Sequence, residues 1–141
     1  MTSWPNAFVG IPYAALGRAR SGADCWGLAA IVYQETLGIK LPDYLGYASV
    51  DEHAEIDALI AGAEASPLWQ ARQGSVRPYD IAVFRRGRLS THLGIVIQPG
   101  LMLHMVDEDR AKIESYQSGR WGNRLVGHFY WVGLAARGVA Q

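Results

Sequence analysis

Three side chains have the types and the placement for nucleophilic chemistry: the sole cysteine, Cys25, and two histidines, His92 and His104. Cys25 lies in Gly22-Ala23-Asp24-Cys25-Trp26-Gly27-Leu28. Asp24 there reads as a helix N-cap, which sets the thiol in the first helical turn. A helix N-terminus offers free N–H groups and partial positive charge, and both stabilise a thiolate. A histidine held against the sulfur would take its proton and complete the activation. One feature opposes this. The carboxylate of Asp24 beside a thiolate raises the thiol pKa, unless that charge turns back onto the helix N–H groups.

The elements that must position these groups follow from periodicity. A helix is expected from Asp24 through Leu28, Ile31, Val32 and Leu37, with Gly38 as its C-cap. Before it, Phe8 to Gly17 is apolar but broken by Gly10, Pro12 and Gly17, and reads as a short helix and then a loop packed over the cysteine helix. A second amphipathic helix is expected over 51–61, with His53 on its polar side. Residues 62–76 carry no usable pattern. From Arg77 onward the period becomes two, giving strands at Ile81 to Phe84, Thr91 to Ile97, Met102 to Val106, Lys112 to Tyr116 and His128 to Val132. Helices packed on an antiparallel sheet of about five strands make an α+β fold, here a single domain over 1–141.

Strand parity tests whether the histidines can meet. His92, Gly94 and Val96 share one face of their strand, and Met102, His104 and Val106 one face of the next. A three-residue loop Gln98-Pro99-Gly100 pairs Ile97 with Leu101 and sets His104 opposite Gly94, diagonal to His92. Diagonal neighbours lie roughly 7 to 8 Å apart, within reach of two imidazoles. His128 reads as structural.

Composition narrows the function further. The 141 residues are 50% hydrophobic, enough for a real core, and Lys+Arg and Asp+Glu balance at 13 each. A neutral chain gives no argument for nucleic-acid binding. The arginines at Arg18, Arg20, Arg85, Arg86 and Arg88 read as solvated faces. One cysteine allows no internal disulfide. No CxxC pair or HExxH helix is present and the histidines are scattered, so neither a metal nor a cofactor is expected. No apolar run reaches the roughly 20 residues of a membrane span. The first residues do not read as a signal peptide, so synthesis in the cytoplasm is expected, with any other compartment reached by another route.

The motifs Gly10-Ile11-Pro12-Tyr13, Asp24-Cys25-Trp26-Gly27-Leu28, Tyr79-Asp80-Ile81-Ala82-Val83-Phe84, His92-Leu93-Gly94-Ile95 and Leu103-His104 resemble, in order and spacing, those of the NlpC-type cell-wall cysteine peptidases. The likeness runs from about Phe8 to Val132 and is nearest the small peptidases of phage tails and gene transfer agents. It implies a papain-like fold with a Cys-His-His site, in which Cys25 is the nucleophile, His92 the base and His104 the group that orients His92. It further implies that Tyr13 lines the site and contributes to oxyanion stabilisation. Trp26 follows the cysteine where many members have Ser, and is expected with Asp24 to shape the substrate groove. Met105 follows the second histidine where Ala is common. The implied activity is hydrolysis of the peptidoglycan stem peptide, at the bond between D-glutamate and the diamino acid after it. The setting so implied is a phage-like tail tip among other tail proteins, acting at the periplasmic wall. Two other readings stay open: a structural plug or adaptor of the tail with weak or no catalysis, and a papain-like amidase or acyltransferase on another substrate.

Overall fold

Asp24 does cap a helix. α1 spans Cys25–Val32, and the carboxylate of Asp24 accepts from the backbone N–H of Gly27. In this computed structural model, which describes residues 4–42, 68–86, 89–106 and 109–136, α1 continues into a single π-helical stretch, Tyr33–Leu37. Gly38 then stops it at a left-handed φ of 67°, a conformation glycine adopts without steric penalty. The expected apolar stripe is wider than i, i+3, i+4. Cys25, Trp26, Gly27 and Ala29 are buried along with Leu28, Ile31 and Val32. The reason is that α1 has neighbours on two sides, a small hairpin of β1 (Arg18–Ala19) and β2 (Gly22–Ala23), and the main sheet. The short helix expected after Phe8 lies before it, at Trp4–Ala7. The expected helix over 51–61, with His53, lies outside the described residues.

The main sheet has six strands, not five: β3 (Trp69–Ala71), β4 (Ile81–Arg86), β5 (Leu89–Gln98), β6 (Leu101–Met105), β7 (Ala111–Ser115) and β8 (Leu125–Trp131). They are ordered β3-β8-β4-β5-β6-β7 and every pairing is antiparallel. The strand absent from the sequence reading is β3, where only Trp69 is buried and Gln70 and Ala71 are exposed. Three residues are too few to establish an alternation.

Alternation along the sheet divides the interior into two layers. Leu93, Ile95, Leu103 and Met105 join the core into which α1 packs, whereas Val96, Met102, Phe84 and Trp121 form a second cluster with Tyr116 and Ala82. His92 and His104 have the parity of this second set.

The β5–β6 hairpin keeps the expected register by a different device. Gly94 pairs with His104 and Val96 with Met102, but Gln98 rather than Ile97 faces Leu101, and a bulge falls between Val96 and Gln98. The turn is thus Pro99-Gly100, with Gly100 at φ 83°. A negative φ at proline followed by a positive one suits a type II turn, whose twist runs against that of the flanking strands. The extra residue at Ile97 takes up the mismatch, so the histidines remain on one face.

Candidate active site

The surroundings of Cys25 begin with the charge on Asp24. Its Oδ1 accepts from Gly27 N at 2.8 Å and from Arg18 Nη1 at 2.8 Å, and the residue is 1% exposed. The carboxylate has turned back onto the helix and is paired through Oδ1 with a guanidinium, the arrangement that lessens its opposition to a thiolate. Arg18 is accordingly not part of a solvated basic face. Its side chain is only 16% exposed. Gly27 completes this turn: a Cβ there would lie 2.0 Å from the carbonyl oxygen of Gly17, so only glycine lets α1 come this close to the segment before β1.

Asp24 and Trp26 are expected in the substrate groove, and the structure corrects both. Asp24 is sealed by its cap and ion pair. Trp26 is 2% exposed, donates Nε1–H to the Pro42 carbonyl at 2.8 Å and meets Trp69 edge to face at 6.0 Å. The indole of Trp26 acts through packing, anchoring α1 to the β3 end of the sheet, because the helix is covered on the side to which it points.

Tyr13 is held by backbone bonds beside Ala23, at the end of the strand that leads into Cys25. Residues 10–13 run between the two halves of the site. On one side Ala23 N donates to Pro12 O and Ala14 N to Ala23 O; on the other, Gly10 N donates to Ala111 O, Ala111 N to Ile11 O and Tyr13 N to Asp109 O. Tyr13 therefore pairs with Ala23, two residues before Cys25, while its own N–H is tied to Asp109, two residues ahead of β7.

On the sheet the two expected histidines meet. His92 Nε2 and His104 Nδ1 are 2.8 Å apart, and both residues are buried, at 3% and 0% exposure. The chain of contacts then continues to a residue the sequence reading passed over. His104 Nε2 lies 2.8 Å from Glu114 Oε1 on β7, and the same oxygen accepts from Trp121 Nε1 at 3.3 Å. The Trp121 ring stacks on His92, with centroids 4.5 Å apart and planes 17° from parallel. Glu114 could have been found by parity, because Lys112 pairs with His104 and Glu114 is two residues further along the same face. Trp121 had no such signal, since it lies in the single helical turn Gly119–Gly122. Burial pushes the His104 imidazole below its ordinary pKa, and the Glu114 carboxylate pulls the other way.

The space beside Gly94 is filled by its cross-strand neighbours. A Cβ there would meet Met102 Sδ at 2.5 Å and His104 Cβ at 3.2 Å, so the missing side chain is what seats His104. Cys25 itself is 4% exposed in the first turn of α1, a helix packed against β5 and β6, the strands that carry His92 and His104. His128 lies apart from these groups, its Nε2 2.8 Å from the Tyr116 hydroxyl. Among the described residues no group of three or more His, Cys, Asp or Glu side chains is arranged to hold a metal ion. No described helix is long and apolar enough to cross a membrane.

The model of the NlpC/P60 family matches residues 10–130, which include every residue of this constellation. The chain belongs to the NlpC/P60 family. This NlpC/P60 chain is 24% identical over 115 residues to the murein DD-endopeptidase MepS/murein LD-carboxypeptidase of Escherichia coli, a match that covers 82% of this chain and 53% of that protein. It thus spans about half the length of the curated relatives it matches. Among solved structures it is similar to an NlpC/P60 family protein from Bacillus cereus, with a TM-score of 0.64 and 20% identity, over 91% of this chain and 38% of that one. It is also similar to RipD of Mycobacterium tuberculosis, described as a non-catalytic NlpC/p60 domain protein adapted to peptidoglycan binding, with a TM-score of 0.55 and 14% identity, over 91% of each chain.

Proposed function

We propose that the chain is a peptidoglycan-cleaving cysteine endopeptidase in which Cys25 is the nucleophile, His92 the general base and His104 the residue that positions it. The observation that carries this reading is the buried His92–His104 contact, 2.8 Å between ring nitrogens and continued from His104 to Glu114. Family membership and the likeness to a murein endopeptidase support the substrate class.

In the reaction His92 takes the thiol proton, and the thiolate attacks an amide carbonyl of the stem peptide. The tetrahedral oxyanion is held by the Cys25 backbone N–H with help from Tyr13. His92 returns the proton to the departing amine, leaving a thioester on Cys25. It then takes a proton from water, whose oxygen attacks the thioester, and the acid product and free thiol are released. The bond we assign is that between D-glutamate and the diamino acid. The setting we assign is a phage-like tail, which would bring the enzyme to the periplasmic wall; the resemblance of its sequence motifs to those of small tail peptidases is what suggests it.

RipD favours a second reading, a wall-binding domain that does not cut. Incubating wild type and Cys25→Ala with purified peptidoglycan, and resolving the soluble products by mass spectrometry, separates the two. Wild type is expected to release stem-peptide fragments whose masses identify the bond, and the variant none. Equal release by both, or none by either, would overturn the peptidase reading.

A further inference from the structure

Glu114 lies outside the Cys-His-His set, and its position fixes protons two residues away. A carboxylate facing an imidazole nitrogen at 2.8 Å accepts, so His104 Nε2 carries a hydrogen. His104 is fully buried, and its burial disfavours the imidazolium, which leaves Nδ1 as a lone pair. That lone pair faces His92 Nε2 at 2.8 Å, which must then be the donor. A neutral His92 that donates through Nε2 has its remaining lone pair on Nδ1.

We propose that Glu114 is a positioning residue that sets the tautomers of both histidines in series and so makes Nδ1 of His92 the basic atom of the site. This rests on His92 being the general base. Trp121 supports the same arrangement from the side, stacking on His92 while its Nε1–H holds the Glu114 oxygen that faces His104. Without the carboxylate, His104 is free to carry its hydrogen on Nδ1 and donate to His92 Nε2. The His92 hydrogen then moves to Nδ1, and no lone pair remains for the thiol. The carboxylate also strengthens the acceptor that steadies a His92 imidazolium, the counter-ion of the thiolate. The other charges facing His104 are Lys112 on β7 and Arg120 beside Trp121, and both oppose a positive ring.

The effect should be smaller than the roughly 10⁴-fold loss seen when the buried aspartate of a serine protease triad is amidated, because Glu114 is 40% exposed and one ring further from the nucleophile. The test uses the full chain labelled with ¹⁵N at histidine. Ring-nitrogen NMR across pH is combined with the pH dependence of Cys25 alkylation by iodoacetamide, in wild type, Glu114→Gln and Glu114→Ala. Wild type is expected to show His92 and His104 both protonated at Nε2 and bare at Nδ1. Glu114→Ala is expected to show mixed tautomers, with alkylation at neutral pH slowed by about 10- to 100-fold and its rise with pH moved to higher pH. The Gln carbonyl still accepts the His104 N–H, so Glu114→Gln should restore the tautomers and most of the rate. Glu114→Asp, which withdraws the carboxylate by one methylene, serves if the alanine variant does not fold. If His104 keeps its Nε2–H tautomer when the carboxylate is removed or withdrawn, or if Gln does no better than Ala in folded protein, the proposal is overturned. The NMR readout needs no substrate. Normal tautomers in a chain that does not cut peptidoglycan would count against the peptidase reading and leave this one standing.

Discussion

Asp24 sits one residue from the thiol, yet its charge is committed to Gly27 N and Arg18. Removing the side chain should cost more than a cap. An N-cap is worth about 1 kcal/mol, and breaking a buried ion pair leaves a charge uncompensated at about 3 to 5 kcal/mol. Because Arg18 retains 16% exposure, we expect Asp24→Ala to lower unfolding stability in urea by about 3 kcal/mol and Asp24→Asn, which still caps, by less. Equal losses for the two would show that the ion pair contributes little. At this scale the sequence was informative about residue types and weak about partners. Cys25 and the cap of Asp24 were legible because a helix start is a local signal, and His92 with His104 because a short hairpin transmits parity. Glu114 was legible in principle, through its place beside Lys112, but Trp121 reaches His92 from a segment with no periodicity to read. Trp26 is buried against expectation for a physical reason: adjacency to Cys25 in sequence says nothing about which side of a helix is covered.

Among the elements, α1 depends on a contact that tolerates no side chain. A Cβ on Gly27 would overlap the Gly17 carbonyl at 2.0 Å, and because both partners are backbone, neither can swing aside. Gly27→Ala should therefore displace the first turn and cost about 3 kcal/mol, read as a lowered denaturation midpoint, with Cys25 alkylation slowed in the folded fraction. An unchanged midpoint would mean that the segment before β1 yields easily. The hairpin teaches a complementary lesson. Its register was foreseen with the wrong loop, since three loop residues and two loop residues plus a bulge both set His104 opposite Gly94. Sequence parity reports the total offset between strands and is blind to how the chain distributes it. The sixth strand escaped for lack of length, with only Trp69 turned inward.

For the molecule as a whole, stability should respond to pH through its buried imidazoles. His104 and His128 both titrate below the ordinary histidine value, chiefly because burial disfavours their charged forms. Above about pH 6.5 they are neutral folded or unfolded. As pH falls below that, the unfolded chain takes up protons that the folded chain refuses, so stability declines until the folded pKa values are passed. Thermal unfolding should show the melting temperature falling as pH drops from 6.5, with a shallower slope in His128→Gln; a flat profile would contradict the desolvation of both rings. The fold class was readable at this scale because helix and strand periods occupy separate halves of the sequence. What joins those halves was not. Gly10 and Ile11 bond to Ala111, and Pro12 and Ala14 bond to Ala23, so the segment beside the thiol is closed against the strand of Glu114 by contacts that span most of the chain. Closures of that span form late, since loop entropy must be overcome before they return anything. The placing of Cys25, His92 and His104 is therefore a property of the finished fold: an incomplete or clipped chain carries the thiol and the imidazoles without the contacts that set them in position.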